Sequence, residues 1–221
     1  MPWLHYLGPL LAGARITAEI GAASTVLGGL AAFAAGIARA AGGRVASAIA
    51  LVYIEIFRGT SLLVQLFWLY YALPLIGPSL TPIETGVLGL SLNIGAYAAE
   101  VVRGAILAVP REQHEAALAL NFSRRHTLWR IVLPQALPEM MPPLGSLAVQ
   151  NLKDTALVST ITISDLTFHA QELRNLTLAS APIYTLTLLL YFAMALVLMG
   201  VMRGIEAWLR RGAAIPRHAR A

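Results

Sequence analysis

The chain has 221 residues, with 16 Lys and Arg against 11 Asp and Glu, a formal net charge of +5, and no cysteine. Charged residues make up 12% of it and hydrophobic residues 57%; soluble domains carry roughly 25% charge, so an ordinary soluble domain is excluded. The missing cysteines exclude disulfide frameworks, zinc–thiolate sites and thiol catalysis.

Residues Met1 to Ala14 hold no basic n-region, and the apolar run after them is too long for a signal-peptide core. The first span is therefore expected to stay in the mature protein. It is predicted over Ile16 to Ala38, with Glu19 as its only charge. Its many Gly and Ala residues suit close helix approach, although a loosely packed, lipid-facing helix has the same composition. Arg39 to Arg44 is a short polar turn.

The next apolar stretch, 45–76, is interrupted by Glu55 and Arg58 and then by Gly59. A helix, a break near Gly59 and a further span fit it; one long kinked helix fits equally. Gly77 to Pro82 is a turn-rich loop. Thr85 to Leu107 is the third span, with Glu100 and Arg103 on one helix face near its end. A polar stretch, 111–130, follows. The fourth span, 131–153, contains Pro134, Pro138, Pro142 and Pro143, so its first half is expected to be kinked or partly irregular. Thr155 to Ser180 is too polar to span and is read as a loop with a short helix. Ile183 to Met202 is an uncharged fifth span, and a basic tail follows, with Arg203, Arg210, Arg211, Arg217 and Arg220.

These elements predict an all-α, polytopic membrane protein: one transmembrane domain over 1–221 with about five helices. Placing the Arg39–Arg44 turn, the Arg103–Arg130 stretch and the tail in the cytoplasm, with Arg58 inside or at the inner interface, leaves only Arg15, Lys153 and Arg174 elsewhere. That bias sets the N-terminus out and the C-terminus in. It also accounts for the basic excess without nucleic acid. A DNA-binding helix-turn-helix at Glu115 to Arg130 would need a soluble bundle around it, and its neighbours are spans.

The polar stretch is the most specific feature. Glu115 to Leu120 are good helix formers, and Asn121 stands where a left-handed C-cap would end the helix. Glu115-Ala116-Ala117, three residues, Asn121, nine residues and Ile131-Val132-Leu133-Pro134 resemble the EAA motif of the membrane subunits of ABC importers, with Asn in place of the motif's Gly. Phe57-Arg58-Gly59-Thr60, Asn93-Ile94-Gly95-Ala96-Tyr97, Leu133-Pro134-Gln135-Ala136 and Lys153-Asp154-Thr155 look like the polar amino-acid uptake branch. Ala119-Leu120-Asn121 together with Asp165-Leu166-Thr167-Phe168 look like ectoine and hydroxyectoine permeases within that branch.

The resemblance implies a cytoplasmic coupling helix in which Glu115, Ala116, Ala117, Leu120, Asn121 and Arg124 meet the ATPase. It implies a multi-pass protein of the bacterial cytoplasmic membrane working by alternating access. The partners would be a cytosolic ABC ATPase dimer, a second permease subunit, identical or related, an extracytoplasmic solute-binding protein and membrane lipid. ATP and Mg would sit in the ATPase, and this chain would bind no cofactor.

Other residues stand out on physical grounds. Glu55 with Arg58, and Glu100 with Arg103, are spaced to brace helix ends as salt bridges or to support a gate. Gln150, Asn151, Lys153 and Asp154 are the polar cluster most suggestive of a substrate path. Trp68, Tyr70 and Tyr71 read as an interfacial belt or as an aromatic box for a cationic ligand. The five histidines show no metal-ligand spacing. No phosphate-cradling loop and no nucleophile–base pair is present, which argues against a membrane enzyme. An ATP-independent secondary transporter or channel is the alternative function.

Overall fold

The computed structural model describes residues 4–212, and every regular element among them is helical. Arg217, Arg220 and His218 of the tail lie outside the described residues. Helix α1, Leu4–Ala41, starts well before the predicted Ile16. The residues before Ile16 extend the helix in spite of Gly8-Pro9, and Pro9, its sixth residue, does not interrupt it. At 1.5 Å per residue α1 is about 57 Å long, more than a hydrocarbon core needs.

Helix α2 is Arg44–Gly59 and α3 is Leu62–Phe67, continued by a π-helical turn at Trp68–Ala72. The two halves of this broken span meet at 103°, which decides for a break and against one long kinked helix. Helix α4, Pro82–Leu107, opens with Pro82 at its first position and a full capping box between Thr81 and Glu84. Two short helices follow, α5 at Arg111–Ala119 and α6 at Arg124–Thr127. A π-turn at Leu128–Val132 then leads into α7, Leu133–Asp154. A 3-10 turn at Thr155–Ile161, α8 at Leu166–Thr177 and α9 at Ser180–Gly212 complete the chain.

The prolines of α7 do less than expected. Irregular backbone is confined to the π-turn before the helix, and the helix itself runs through Pro138, Pro142 and Pro143 without interruption.

Helix α4 is the centre: its most apolar window is 67% buried, against 6% for α9 at the periphery. It lies along α1 in parallel, because Gly28 meets Ser91 and Ile94 while Gly36 meets Ala99 and Val102. Missing side chains let the two backbones approach closely. Helix α7 returns antiparallel. Val132, Leu133, Ala136 and Met140 pack with Val102, Ile106 and Val109, and Leu152 reaches Gly21 far along α1. Helix α9 starts at Leu10, where Ile183 is buried, and crosses α7 where Met202 meets Gly145. The C-terminal ends of α1, α4 and α9, the start of α7 and the α5–α6 hairpin therefore share one face of the molecule.

Three described helices are long and apolar enough to cross a membrane, and the bent pair makes a fourth. Five spans were expected. The missing one is α7, whose 22 residues reach about 33 Å but carry Gln135, Glu139, Gln150, Asn151, Lys153 and Asp154.

A side chain at Gly36 would place its Cβ 2.7 Å from the carbonyl oxygen of Ala99. Gly36→Val is expected to cost about 1–3 kcal/mol by overpacking and to lower the unfolding temperature in detergent. Gly29 has no neighbour within 4 Å of such a Cβ, so Gly29→Ala should not lower that temperature, since Ala is the better helix former.

Candidate functional site

The break between α2 and α3 organises one candidate site. Thr60 and Ser61 are extended, with φ, ψ of −122°, 153° and −68°, 132°, so the carbonyls of Ile56 and Phe57 lose their helical donors. In an apolar surrounding each orphan carbonyl costs several kcal/mol unless another donor replaces the lost one. Thr60 Oγ1 donates to Ile56 O at 2.7 Å. Gln65 Nε2 and Asn93 Nδ2 each donate to Phe57 O at 2.9 Å. Asn93 also donates to Gln65 Oε1 at 3.2 Å. Both amides are almost fully buried. They hold the break open against α4 and replace the hydrogen bonds that the helix gave up.

Beside the break lies a cleft of about 420 Å³. Thr60, Ser61 and Leu62 form one wall, Asn93, Ile94 and Tyr97 of α4 a second, and Leu147, Gln150 and Asp154 of α7 a third. Gln150 Nε2 donates to Asp154 Oδ1 at 2.9 Å.

Helical geometry divides the four polar residues that the sequence grouped together. Gln150 and Asp154 are four apart and share the cleft face. Asn151 does not line this cleft: it is 1% exposed, and its Nδ2 donates to Ser24 Oγ at 2.8 Å and Thr25 Oγ1 at 2.9 Å on α1. Lys153 points elsewhere as well, into a second cleft of about 360 Å³ between α7 and α9, shared with Met199, Met202, Arg203 and Glu206. One residue of sequence moves a side chain 100° around a helix, so neighbours in sequence serve different surfaces.

The two predicted charge pairs also separate. Arg103 Nη1 meets Glu100 Oε2 at 3.3 Å, about one-third exposed. Glu55 and Arg58 form no such pair among the described residues. Arg58 instead lies over the Tyr97 ring, 5.3 Å from its centre, and Tyr97 Oη donates to Arg58 O at 3.4 Å. Arg58 thus lies against a lining residue of the cleft. Trp68 and Tyr71 are half exposed, while Tyr70 Oη lies 3.3 Å from Thr162 Oγ1; none of the three lines the cleft.

Asp165 is fully buried, caps α8 by accepting from the Phe168 N–H at 2.9 Å, and accepts from Tyr191 Oη at 3.4 Å. Burial holds its carboxyl above the ordinary carboxylate range, against the opposing pull of these donors.

The second candidate site is the α5–α6 hairpin. Helix α5 ends in a Schellman arrangement: Phe122 N–H donates to Ala117 O at 3.0 Å, and Asn121 N–H to Leu118 O at 2.9 Å. That geometry needs a left-handed residue, and Asn121 has φ 56°. Ser123 then caps α6 by accepting from the His126 N–H at 3.3 Å. Glu115, Ala116 and Arg124 are exposed, as are the apolar Leu118, Leu120 and Trp129 at 71%, 66% and 56%. Only Ala117 of α5 is buried. Exposed apolar side chains beside arginines give this surface the composition of a protein-binding patch.

The sequence matches, over residues 24–211, the family described as the inner membrane component of binding-protein-dependent transport systems. The chain belongs to that family. It is an inner-membrane transport subunit and no enzyme; a separate ATPase hydrolyses ATP, and a binding protein completes such a system. A probable amino-acid ABC transporter permease of Sinorhizobium fredii is 52% identical over 217 residues, covering 96% of this chain and 91% of the relative. The glutamine transport system permease GlnP of Escherichia coli is 37% identical over 199 residues, covering 89% and 91%. A crystal structure of an amino acid ABC transporter with histidines superposes with a TM-score of 0.84 at 29% identity, covering 92% of this chain and 95% of that one.

In the sequence Asn93 stands out only as part of a family-like motif, and Gln65 does not stand out at all. The available signal was two amides in apolar runs, one of them soon after Gly59-Thr60-Ser61. For Asn121 the expected outcome is graded. Asn121→Gly should keep ATPase stimulation and uptake, whereas Asn121→Val, forced into a left-handed conformation at about 1–2 kcal/mol, should lose several-fold of both. Equal activity in the two variants would remove the backbone explanation.

Proposed function

We propose that this subunit, paired with a second permease, carries polar amino acids inward through the cleft beside the α2–α3 break. The observation that carries this is the polar face of α7. Glu139, Ser146, Gln150 and Asp154 recur along one side of a helix packed among membrane spans, and the first three are exposed. Polar groups at that depth face a water-filled path or a partner, not lipid. The cleft offers the carboxylate of Asp154 for an ammonium group, with the amides of Asn93 and Gln150, the hydroxyl of Thr60 and the ring of Tyr97 around it. The similarity to permeases named for amino acids and for glutamine supports the same substrate class.

Orientation follows from charge. Arg39, Arg44, Arg103, Arg111, Arg124, Arg125, Arg130, Arg203, Arg210 and Arg211 belong to the elements that end on the hairpin face, so that face is cytoplasmic, with N-terminus out and C-terminus in. The hairpin residues Glu115, Ala116, Ala117, Leu120, Asn121 and Arg124 then seat on the ATPase. The binding protein docks on the opposite face, and ATP-driven closure of the ATPases moves the hairpin and alternates access to the cleft.

An ectoine-like compatible solute is the narrower form of this proposal. The residues that suggested it do not line the cleft; Asp165 caps α8. The substrate is therefore to be sought through the cleft residues.

The native chain, its ATPases and its binding protein, reconstituted in vesicles, should take up labelled glutamine only with ATP on the ATPase side. Asp154→Asn should reduce uptake at least tenfold without changing assembly. Excess unlabelled polar amino acids should compete; competition by ectoine alone would select the compatible-solute form. Full uptake without nucleotide would make the chain an ATP-independent transporter and end the importer proposal.

A further inference from the structure

The α5–α6 hairpin is joined to α7 by two routes. One is covalent, through α6 and the π-turn at Leu128–Val132. That turn has a wider hydrogen-bond ring, closed by Leu133 N–H onto Leu128 O, and single π-turns of this kind are points of local rearrangement. Just after it, Pro134 has no N–H, so Arg130 O lacks its helical donor. A push on α5 sent along this route would be taken up by the joint.

The second route bypasses the joint. Gln135 Nε2, in the first turn of α7, donates to Gln113 Oε1 of α5 at 3.3 Å and to Ile131 O at 2.9 Å. Gln135 is half-buried, whereas Gln113 is exposed, and Ala117 is the only buried residue of α5. A single amide thus ties the outer hairpin directly to the regular part of α7. About four turns further along that helix, Gln150 and Asp154 line the cleft.

We propose that Gln135 is a positioning residue whose amide keys α5 to the first turn of α7. Movement of the hairpin then becomes movement of the helix that carries Gln150 and Asp154. This rests on the proposed function: an ATPase must move the hairpin for the key to matter.

The test uses the complete transporter in vesicles and reads solute imported per ATP hydrolysed. Gln135→Ala and Gln113→Ala are each expected to lower that ratio about fivefold, the size of effect of one hydrogen bond. Basal ATPase activity and unfolding temperature should not change. The double variant should be no worse than either single one. Gln113→Glu should keep the native ratio, because a carboxylate accepts from the same amide. Gln113 is exposed, so its variants report even where Gln135→Ala does not assemble. An unchanged ratio in Gln113→Ala, or additive losses in the double variant, would overturn the key. A native transporter that imports nothing with ATP present would instead fail the proposed function.

Discussion

A peptide carbonyl inside a membrane has no water to accept from, and the site near the α2–α3 break depends on how that constraint is met. The chain interrupts a span at Gly59-Thr60-Ser61 and turns it through 103°. The interruption survives because Gln65 and Asn93 supply the missing donors to Phe57 O and Thr60 Oγ1 to Ile56 O. Asn93 comes from α4, so the same hydrogen bond that satisfies the broken helix fixes it to the central one. The cleft is the space that this corner leaves beside α7. The energy of the arrangement lies in groups that would be costly if unpaired, more than in groups that attract strongly.

Helix α7 shows how one element serves three surfaces. Its apolar face packs Ala136, Met140 and Ala148 into the core. Asn151 locks its far end to Ser24 and Thr25 of α1, and Gln150 with Asp154 is left to the cleft. The mixture makes α7 too polar to qualify as a span by hydropathy, although it is long enough to be one. A helix that lines a polar cleft is less apolar than one at the periphery, and α9, with 6% of its most apolar window buried, is the contrast within the same chain.

The hairpin works by a different rule. Its shape is local: a helix ended by Asn121 at φ 56°, a turn, and a serine cap. Its position is lightly supported: Ala117 and Thr127 are the buried residues of its two helices, and one side-chain hydrogen bond reaches α5 from α7. An element built this way keeps its own form while being free to be moved by a partner. Leu118, Leu120 and Trp129 are exposed, so the hairpin presents an apolar surface that this chain does not cover.

Much of this was legible in the order of residues. Composition and long uncharged runs required a helical membrane protein, and Gly59 marked where a break or a kink would fall. The spacing from Glu115 to Pro134 identified the hairpin, and Asn121 its left-handed turn, because a C-cap is decided by a few adjacent residues. The start of α1, the face each polar side chain of α7 takes, and the choice of Tyr97 over Glu55 as the partner of Arg58 were not legible. Those depend on which helices become neighbours: Asn93 lies 36 positions from the carbonyl it satisfies, and only folding brings the two together. Periodicity places a residue on a face of its helix; only the tertiary structure decides whether that face meets the core, a cleft or another subunit.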